Sequence, residues 1–320
     1  MSRCRALAES LFRAGAEVSF WCRGIRQASR SALNFLGVTV IDLVDEKTFL
    51  AQDWRSSVVV VDGYHFGEEF WEGLVSAGAS RTVYIDDFRT ITYQADILIC
   101  YNEGVTAEQF DLSPKTRLFL GGRYLLLRPE IFAAARLAVG LTSRRALMIV
   151  AGGTQQEPWV AGMLSYLSRI EPGLPLWVLS GRRLSTGKVL HKAGLIRAQV
   201  RFFSGLGVSS MLRRYRQARC VLAPASTVML EAFSAGCPLV TGWVADNQRN
   251  SLRYYDCEGL IVNAGDLRRL SLPALTMACA KAISNSGRMA RRQRAYIRDS
   301  KLGIDEIVQA ILAPDQRNLI

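Results

Sequence analysis

Ala223-Pro-Ala-Ser-Thr-Val-Met-Leu-Glu-Ala-Phe-Ser-Ala-Gly-Cys-Pro238 is the stretch that decides the fold of this 320-residue chain. An apolar strand ends at its start, a turn of small residues follows, and a helix is predicted to begin at Ser226 or Thr227. Backbone N–H groups at such a helix start, with hydroxyl side chains beside them, form a cradle for an anion. Glu231, one turn further, can accept hydrogen bonds from ribose hydroxyls. The structural alternative is a plain serine N-cap with a surface glutamate.

The same strand–turn–helix pattern repeats along the chain. Strands that are apolar on both sides and separated by helices indicate a parallel sheet covered on both faces. The fold class is therefore α/β, with two Rossmann-like domains. Strands are predicted at 17–22, 57–61, 81–85, 97–100, 146–151, 176–179, 201–203, 220–222 and 238–241. Helices are predicted at 68–77, 155–168, 209–217, 227–235 and 247–255.

The length of the chain favours two domains over one. We place the junction near residues 138–145, after a helix that begins with Pro129 at its first position. The predicted domains are 1–140, which would hold the sugar and water site, and 141–320, which would bind the nucleotide. The helices from Leu272 onward complete the second domain, with part of them able to cross back to the first.

Composition narrows the classes of partner. Lys and Arg number 40 against 28 Asp and Glu, a formal net charge of +12. This charge is mostly dispersed and suits a diphosphate substrate. The two dense runs, 213–216 and 288–298, are interpreted as solvated helix faces, and no nucleic acid is expected. No stretch of eighteen apolar residues appears, so no membrane-inserted helix is expected.

Cysteine and histidine usage argues against a metal site. The seven cysteines form no C-x-x-C pair and only two histidines are present, so neither zinc nor another cofactor is expected. An odd number of cysteines in mostly apolar surroundings and the lack of an apolar signal core in residues 1–13 predict a cytoplasmic protein. The oligomeric state stays open.

Two further motifs follow strands of the second half. Gly152-Gly-Thr154 comes directly after the predicted strand 146–151, where glycines let a ligand approach the backbone closely. Asp246-Asn-Gln248 follows strand 238–241, at the edge where open α/β sheets bind ligands. A ligand-free turn and an N-cap by Asp246 are the structural alternatives.

Acidic residues follow two successive strands of the first half, in Val61-Asp-Gly-Tyr64 and Ile85-Asp-Asp87. Carboxyl ends of neighbouring parallel strands share one crevice, where these groups can hold sugar hydroxyls or orient a water. Loop capping is the alternative. If Asp62 and Asp87 are exposed, neither should matter much to folding. His65 is interpreted as a structural loop residue.

The N-terminus departs from the usual order. Residues 1–15 are predicted to form a helix that Gly15 ends. A doubly wound domain normally opens with a strand and a phosphate-proximal loop before this helix. We therefore expect that opening strand and loop to be absent.

These pieces, in this order, resemble the UDP-2,4-diacetamido-2,4,6-trideoxy-β-L-altropyranose hydrolase family of pseudaminic acid biosynthesis, which serves flagellin glycosylation. The resemblance implies a two-domain glycosyltransferase-B-like fold, similar to that of lipid II synthases, and an enzyme that hydrolyses the sugar–UDP bond. It covers nearly the whole chain and rests on Arg3-Cys-Arg-Ala-Leu-Ala8, Ala16-Glu-Val-Ser-Phe20, 58–64, Ile85-Asp-Asp87, Ala95-Asp-Ile-Leu98 with Asn102, 121–130, Gly152-Gly-Thr154, and 225–231 with Asn247-Gln248.

The resemblance also implies a set of site residues. The implied catalytic residues are Asp62, Tyr64 and Asp87. The implied substrate-binding residues are Arg3, Asn102, Gly152, Gly153, Thr154, Ser226, Thr227, Glu231, Asn247 and Gln248.

The sequence departs from the family pattern at two places. The family opens with a G-x-G-H-x-x-R loop whose histidine is its general base. Here Met1-Ser-Arg-Cys4 aligns with the end of that loop, so the glycine and histidine positions fall before Met1. Asp62-Gly-Tyr64 also replaces the family's Asp-His-Tyr.

Three functions therefore remain open. The chain is a UDP-sugar hydrolase, a glycosyltransferase on the same scaffold, or a catalytically impaired nucleotide-sugar binder. A transferase would need an exposed acceptor surface, for which Phe66, Phe70 and Trp71 are the candidates.

Overall fold

A computed structural model describes residues 2–25, 27–63, 65–86, 94–137, 144–152, 157–181 and 183–314. By its contacts the chain divides into two compact units. The N-terminal unit comprises Met1–Pro129 together with Ser300–Ile320, and the central unit comprises Glu130–Asp299. Each unit is an α/β structure built on parallel strands, as the sequence predicts.

The helices and strands alternate along both units. The strands are β1 Ser19–Cys22, β2 Thr39–Asp42, β3 Val58–Val61, β4 Arg81–Ile85, β5 Ile97–Cys100, β6 Arg117–Leu120, β7 Ala146–Ala151, β8 Leu176–Ser180, β9 Val200–Ser204, β10 Ala218–Pro224, β11 Leu239–Trp243 and β12 Val262–Asp266. The α-helices are α1 Ser2–Arg13, α2 Gln27–Phe35, α3 Glu46–Leu50, α4 Glu68–Ser76, α5 Pro129–Arg136, α6 Glu157–Ile170, α7 Thr186–Ala193, α8 Val208–Gln217, α9 Thr227–Ala235, α10 Arg249–Cys257, α11 Leu272–Ser284, α12 Ser286–Asp299 and α13 Lys301–Leu312.

The central unit is built on a six-stranded parallel sheet in the order β12-β11-β10-β7-β8-β9. Every residue of β7 and β8 is buried, as expected for strands covered on both faces. Helix α6 packs with α7 and α11, whereas α9 packs with α8 and α12. Chain order runs outward from β7 to β8 and β9 on one side, then from β10 to β12 on the other. The strand order therefore reverses between β7 and β10.

The described strands of the N-terminal unit form two parallel sheets, β1-β2 and β3-β4-β5-β6. The inner strands β4 and β5 are almost wholly buried. The strands β1 and β3 each have one hydrogen-bonded neighbour among the described residues, and alternate residues of β3 are only half-buried. Both strands are thus sheet edges, although their apolar sequences are typical of interior strands.

A single aromatic core joins the two sheets of the N-terminal unit. The Trp21 ring of β1 lies edge-on to Phe49 and to Trp54, with centroid separations of 5.4 and 5.8 Å. These rings belong to a buried cluster with Phe70 and Trp71 of α4. Phe70 and Trp71 are only 6% and 2% exposed, so the interpretation of these two rings as a surface patch is wrong.

Helix α1 ends as its sequence predicts. Gly15 adopts a φ of +92°, and the N–H of the next residue bonds back to the Leu11 carbonyl at 3.1 Å. This left-handed exit satisfies a carbonyl that the helix end would otherwise leave without a partner. It turns the chain from α1 into β1.

Helix α13 belongs to the N-terminal unit. The structure differs here from the sequence prediction, which assigned residues 141–320 to one domain. The helix packs on α1 and on the 3₁₀ turn Gly122–Tyr124. The Arg81 guanidinium donates to the Ala310 and Ile311 carbonyls at 2.7 and 3.1 Å. A cation at a helix C-terminus binds the last carbonyls and complements the helix dipole. Helix α5, in contrast, groups with the central unit.

Gly303 sets how closely α13 approaches its neighbour. A Cβ atom at this position would lie 1.9 Å from the Arg123 carbonyl oxygen. We therefore expect Gly303→Ala to displace α13 and to lower the free energy of unfolding by about 2 kcal/mol, the range of overpacked positions. Urea denaturation followed by circular dichroism measures this loss.

The matched control for that substitution is Gly162→Ala in α6. A Cβ at residue 162 meets no atom within 4 Å, so alanine should stabilise the helix by about 0.5 kcal/mol. If the two substitutions changed the free energy of unfolding equally, a methyl group at residue 303 would fit without displacing α13.

Candidate functional site

The crevice of the central unit lies where the strand order reverses. Strands β7 and β10 pair directly, with Leu147 opposite Cys220 and Ile149 opposite Leu222. Gly152 leaves β7 at this edge, and a Cβ placed on it would lie 3.8 Å from the Pro224 ring at the end of β10. Ligands of open α/β sheets bind at such a switch point, beyond the carboxyl ends of the strands.

The loop between β10 and α9 is held rigidly at this crevice. The Ala225 N–H donates to the Gly242 carbonyl at 3.0 Å, and the buried Thr241 hydroxyl donates to the Ala223 carbonyl at 2.6 Å. Ser226 is exposed in the N-cap position of α9, but its side chain makes no capping hydrogen bond. The serine hydroxyl and the first turn of α9, with half-buried Thr227, thus lie at the crevice with a positive helix end.

Glu231 lies one turn into α9 and is only 8% exposed. Its neighbour is Tyr215 of α8, whose hydroxyl lies 3.3 Å from the Val228 carbonyl. Burial, followed by the nearby Glu231 carboxylate, raises the pKa of Tyr215 well above its ordinary value. The interpretation of Glu231 as a surface residue is therefore wrong.

The residues after β11 form a tight turn at the same sheet edge. The Gln248 side-chain oxygen Oε1 accepts from the Val244 and Ala245 N–H groups at 2.8 and 3.3 Å. Within the described part of the chain, the buried Asn247 Oδ1 and Trp243 Nε1 atoms have no hydrogen-bond partner. Gln248 thus stabilises the turn, while the Asn247 oxygen and the Trp243 N–H are available to hydrogen-bond a ligand. Sequence reasoning missed Trp243, since a tryptophan ending a strand carries no distinctive spacing.

Arg3 connects three strand ends of the N-terminal unit. Its guanidinium donates to the Asp62 Oδ1 atom after β3 at 2.6 and 3.0 Å, and to the Ile85 carbonyl of β4 at 3.5 Å. It also lies 6.0 Å from the centre of the Tyr101 ring after β5. The family resemblance implies Arg3 as a substrate-binding residue and Asp62 as a catalytic one, and the structure brings them together as a direct ion pair.

The second oxygen of Asp62 is also bonded. The Cys4 thiol donates to Oδ2 at 2.5 Å. Burial raises the pKa of the Asp62 carboxyl, but the Arg3 guanidinium and the Cys4 thiol outweigh it and hold that pKa below its ordinary value. Burial and then the Asp62 charge raise the pKa of Cys4 to about 12. At neutral pH the cluster is therefore a carboxylate, a guanidinium and a protonated thiol.

The remaining predicted residues fall into two groups. Asn102 is half-buried and lies two residues beyond the end of β5. The His65 side chain is 68% exposed, with its Nε2 3.6 Å from Glu46 Oε1 and its ring 4.1 Å from the Phe66 ring. The predicted site residues Tyr64, Asp87, Gly153 and Thr154 lie outside the described residues.

Comparison with solved structures identifies the fold of the chain. No family model and no curated protein matches the sequence. Among solved structures, the Acinetobacter baumannii MurG is 12% identical with a TM-score of 0.62, over 97% of this chain and 95% of that one. The S. aureus MnaA–UDP structure is 10% identical with a TM-score of 0.65, over 99% and 94%. A putative UDP-N-acetylglucosamine 2-epimerase from Listeria monocytogenes is 13% identical with a TM-score of 0.59, over 97% and 92%.

These similarities extend over both units and define the architecture. The chain has the glycosyltransferase-B-like fold of two Rossmann-like domains that the sequence predicts. At identities this low the likeness concerns the fold, and the chemistry has to be argued from the residues of the site. Among the described residues no helix has the length and apolar character needed to cross a membrane.

The Asp62 pair has a measurable signature in the pH dependence of stability. Asp62 is 13% exposed and ion-paired, so the expectation that Asp62 matters little to folding does not apply. Because its pKa is lower in the folded state, its stabilisation is present above the unfolded pKa of about 4 and is lost as pH falls through the folded pKa. We expect Asp62→Asn to cost about 3 kcal/mol at pH 7, because Arg3 is left buried without its counter-charge. The difference from the unsubstituted protein should shrink below about pH 4.

Asp53→Asn is the control for this measurement. Asp53 pairs with Arg55 at 2.7 Å, but both side chains are mostly exposed, so its removal should change stability little. Urea titrations of the three proteins from pH 3 to pH 8 give the comparison. A pH-independent loss on Asp62→Asn would contradict the ion-pair account.

Proposed function

We propose that the central unit binds the uridine diphosphate part of a nucleotide sugar at the reversal between β7 and β10. Two features at the same sheet edge support this proposal. Gly152 follows β7 there, and the Ser226 hydroxyl at the start of α9 makes no capping hydrogen bond. Backbone N–H groups, a helix dipole and hydroxyl donors together suit a diphosphate. The UDP bound in the similarly folded MnaA structure agrees with this choice of ligand.

Each predicted residue has a role in this proposal. Ser226 and Thr227 donate to phosphate oxygens, and the backbone of Gly152 and Gly153 lets the diphosphate approach β7. Glu231, which is buried near Tyr215, accepts from ribose hydroxyls. The last group lines the edge of the nucleotide site and consists of Thr154, Asn247 and Gln248.

The reaction we propose is hydrolysis of the sugar–phosphate bond of a UDP-linked diacetamido-trideoxy sugar. A water oxygen bonds to the anomeric carbon, the carbon–oxygen bond to UDP breaks, and the water gives up one proton, which passes to the bulk solvent. UDP leaves with the bonding electron pair, and the positive end of α9 stabilises the charge that develops on it.

The N-terminal unit holds the sugar and the water in this proposal. Arg3 and Asn102 bind the substrate, while Asp62, Tyr64 and Asp87 orient the sugar or the water. Asp62 is ionised and accepts hydrogen bonds at both oxygens, so it is suited to positioning and not to donating a proton.

Hydrolysis is favoured over transfer by the packing of α4. Two of the three rings that would have formed an acceptor surface, Phe70 and Trp71, lie in the aromatic core. A sugar or lipid acceptor therefore loses most of the surface that the transferase interpretation depends on, whereas water needs none.

The nucleotide site is tested by a double substitution that should weaken UDP binding and by a control that should weaken stability alone. Ser226→Ala with Thr227→Ala should weaken UDP binding by about 1 to 3 kcal/mol, because hydrogen bonds to charged oxygens are lost. It should change stability little, because Ser226 makes no capping bond. Titration calorimetry with UDP and thermal unfolding measure the two effects.

Ser271→Ala is the matched control. Ser271 caps α11 by accepting from the Ala274 N–H, so its loss should cost about 1 kcal/mol of stability and leave UDP affinity unchanged. UDP affinity that survives Ser226→Ala/Thr227→Ala would place the nucleotide elsewhere.

The reaction is tested by UDP release from UDP-2,4-diacetamido-2,4,6-trideoxy-β-L-altropyranose in ¹⁸O-water. We expect release without an added acceptor and one ¹⁸O atom in the free sugar, because water attacks the anomeric carbon. Asp62→Asn should lower turnover, with the rate corrected for the folded fraction.

Two other outcomes would each rule out hydrolysis. Release that requires a sugar or lipid acceptor identifies a transferase. Tight UDP binding with no release under either condition identifies a nucleotide-sugar binder.

A further inference from the structure

One face of α12 carries a row of arginines that the nucleotide site does not use. Its opposite face is buried, because Met289, Gln293 and Ile297 pack inward and α12 lies against α9. The outward side chains recur at helical spacing and span about 15 Å along the axis. They are Arg288, Arg291, Arg294 and Arg298, of which Arg294 is half-buried and the other three are exposed.

The row continues onto the neighbouring elements of the central unit. Arg216 of α8 is close enough to Arg294 for their charges to repel. The Arg216 guanidinium donates to the Ala134 carbonyl of α5 at 3.3 Å, and the Leu137 N–H donates to the same oxygen. Leu137 is 57% exposed. An uncovered leucine thus flanks the basic surface, which we call the α12 arginine strip: Arg288, Arg291, Arg294, Arg298 and Arg216.

Across the stretch of chain that is described, no acidic side chain forms an ion pair with any of the four arginines that α12 contributes to the strip. Burial and the charges of Arg298, Arg216 and Arg291 lower the pKa of Arg294. Arginines held this close together gain free energy when an anion replaces the missing counter-charge.

The surroundings of the strip favour a lipid surface over a nucleic acid. Single-stranded nucleic acids bind to basic surfaces that also offer aromatic rings for base stacking. The aromatic ring of α12, Tyr296, instead packs against Phe233 and Tyr255 with centroid separations of 5.9 and 5.6 Å. A straight basic row beside an exposed leucine matches phosphate headgroups above an apolar layer.

We infer that the α12 arginine strip, with Leu137 at its flank, docks the protein on the surface of a membrane rich in anionic phospholipid. The helix lies on the headgroups and does not enter the hydrocarbon layer. Such attachment would place the nucleotide site, formed by the helix α9 behind the strip, next to the membrane. The inference does not rest on the proposed hydrolysis.

Vesicle sedimentation tests this inference. The full chain should bind phosphatidylglycerol-containing vesicles, release at high salt, and bind pure phosphatidylcholine vesicles weakly, because the attraction is electrostatic. Arg291→Gln with Arg298→Gln should lower the partition coefficient about 25-fold, since each arginine near the surface contributes about fivefold.

Arg197→Gln with Arg201→Gln is the charge-matched control. Both residues are exposed in the central unit and lie outside the strip, so this pair removes the same charge and should leave vesicle binding nearly unchanged. UDP titration and thermal unfolding show that each variant is folded and keeps its nucleotide site. Equal losses of vesicle binding in the two double variants would show that net charge alone causes the binding, which would overturn the inference. RNA binding without vesicle binding would also overturn it.

Discussion

The reversal of strand order between β7 and β10 is the constraint on which the nucleotide site depends. Parallel strands require right-handed crossovers, so chain leaving β7 and chain leaving β10 turn toward opposite faces of the sheet. The helix sets bear this out, since α6 packs with α7 and α11 while α9 packs with α8 and α12. Gly152 at the end of β7 and the start of α9 therefore lie at the point in the sheet where the chain turns to opposite faces.

Much of this architecture could be predicted because interior strands are marked by apolar runs. The bounds of β4, β5, β7 and α9 follow the sequence prediction residue for residue. The strands that were not predicted, β2, β6 and β12, contain polar residues and are only partly buried. Their place in a sheet is decided by pairing with a neighbour, which a local pattern does not record.

The candidate site also has features that the local sequence indicates and features that depend on distant residues. The placement of residues 152, 226 and 62 after strands was predictable, because small and polar residues follow apolar runs there. The partners were not, because the Arg3–Asp62 pair and the Cys4 thiol join residues about sixty positions apart. Burial of Glu231 was also hidden, since a helix covered on nearly all sides has no polar face to reveal its orientation.

The return of α13 to the N-terminal unit bears on how the protein is made. Arg81 binds the end of this helix, and Gly303 fits it against the Arg123 backbone. On a ribosome, residues 1–129 emerge long before residues 301–312, and the central unit is synthesised between them. The central unit can therefore fold as an uninterrupted segment, while the N-terminal unit waits with one side uncovered. The surfaces of α1 and of the turn Gly122–Tyr124 that α13 covers are what a nascent-chain chaperone would have to shield during that interval.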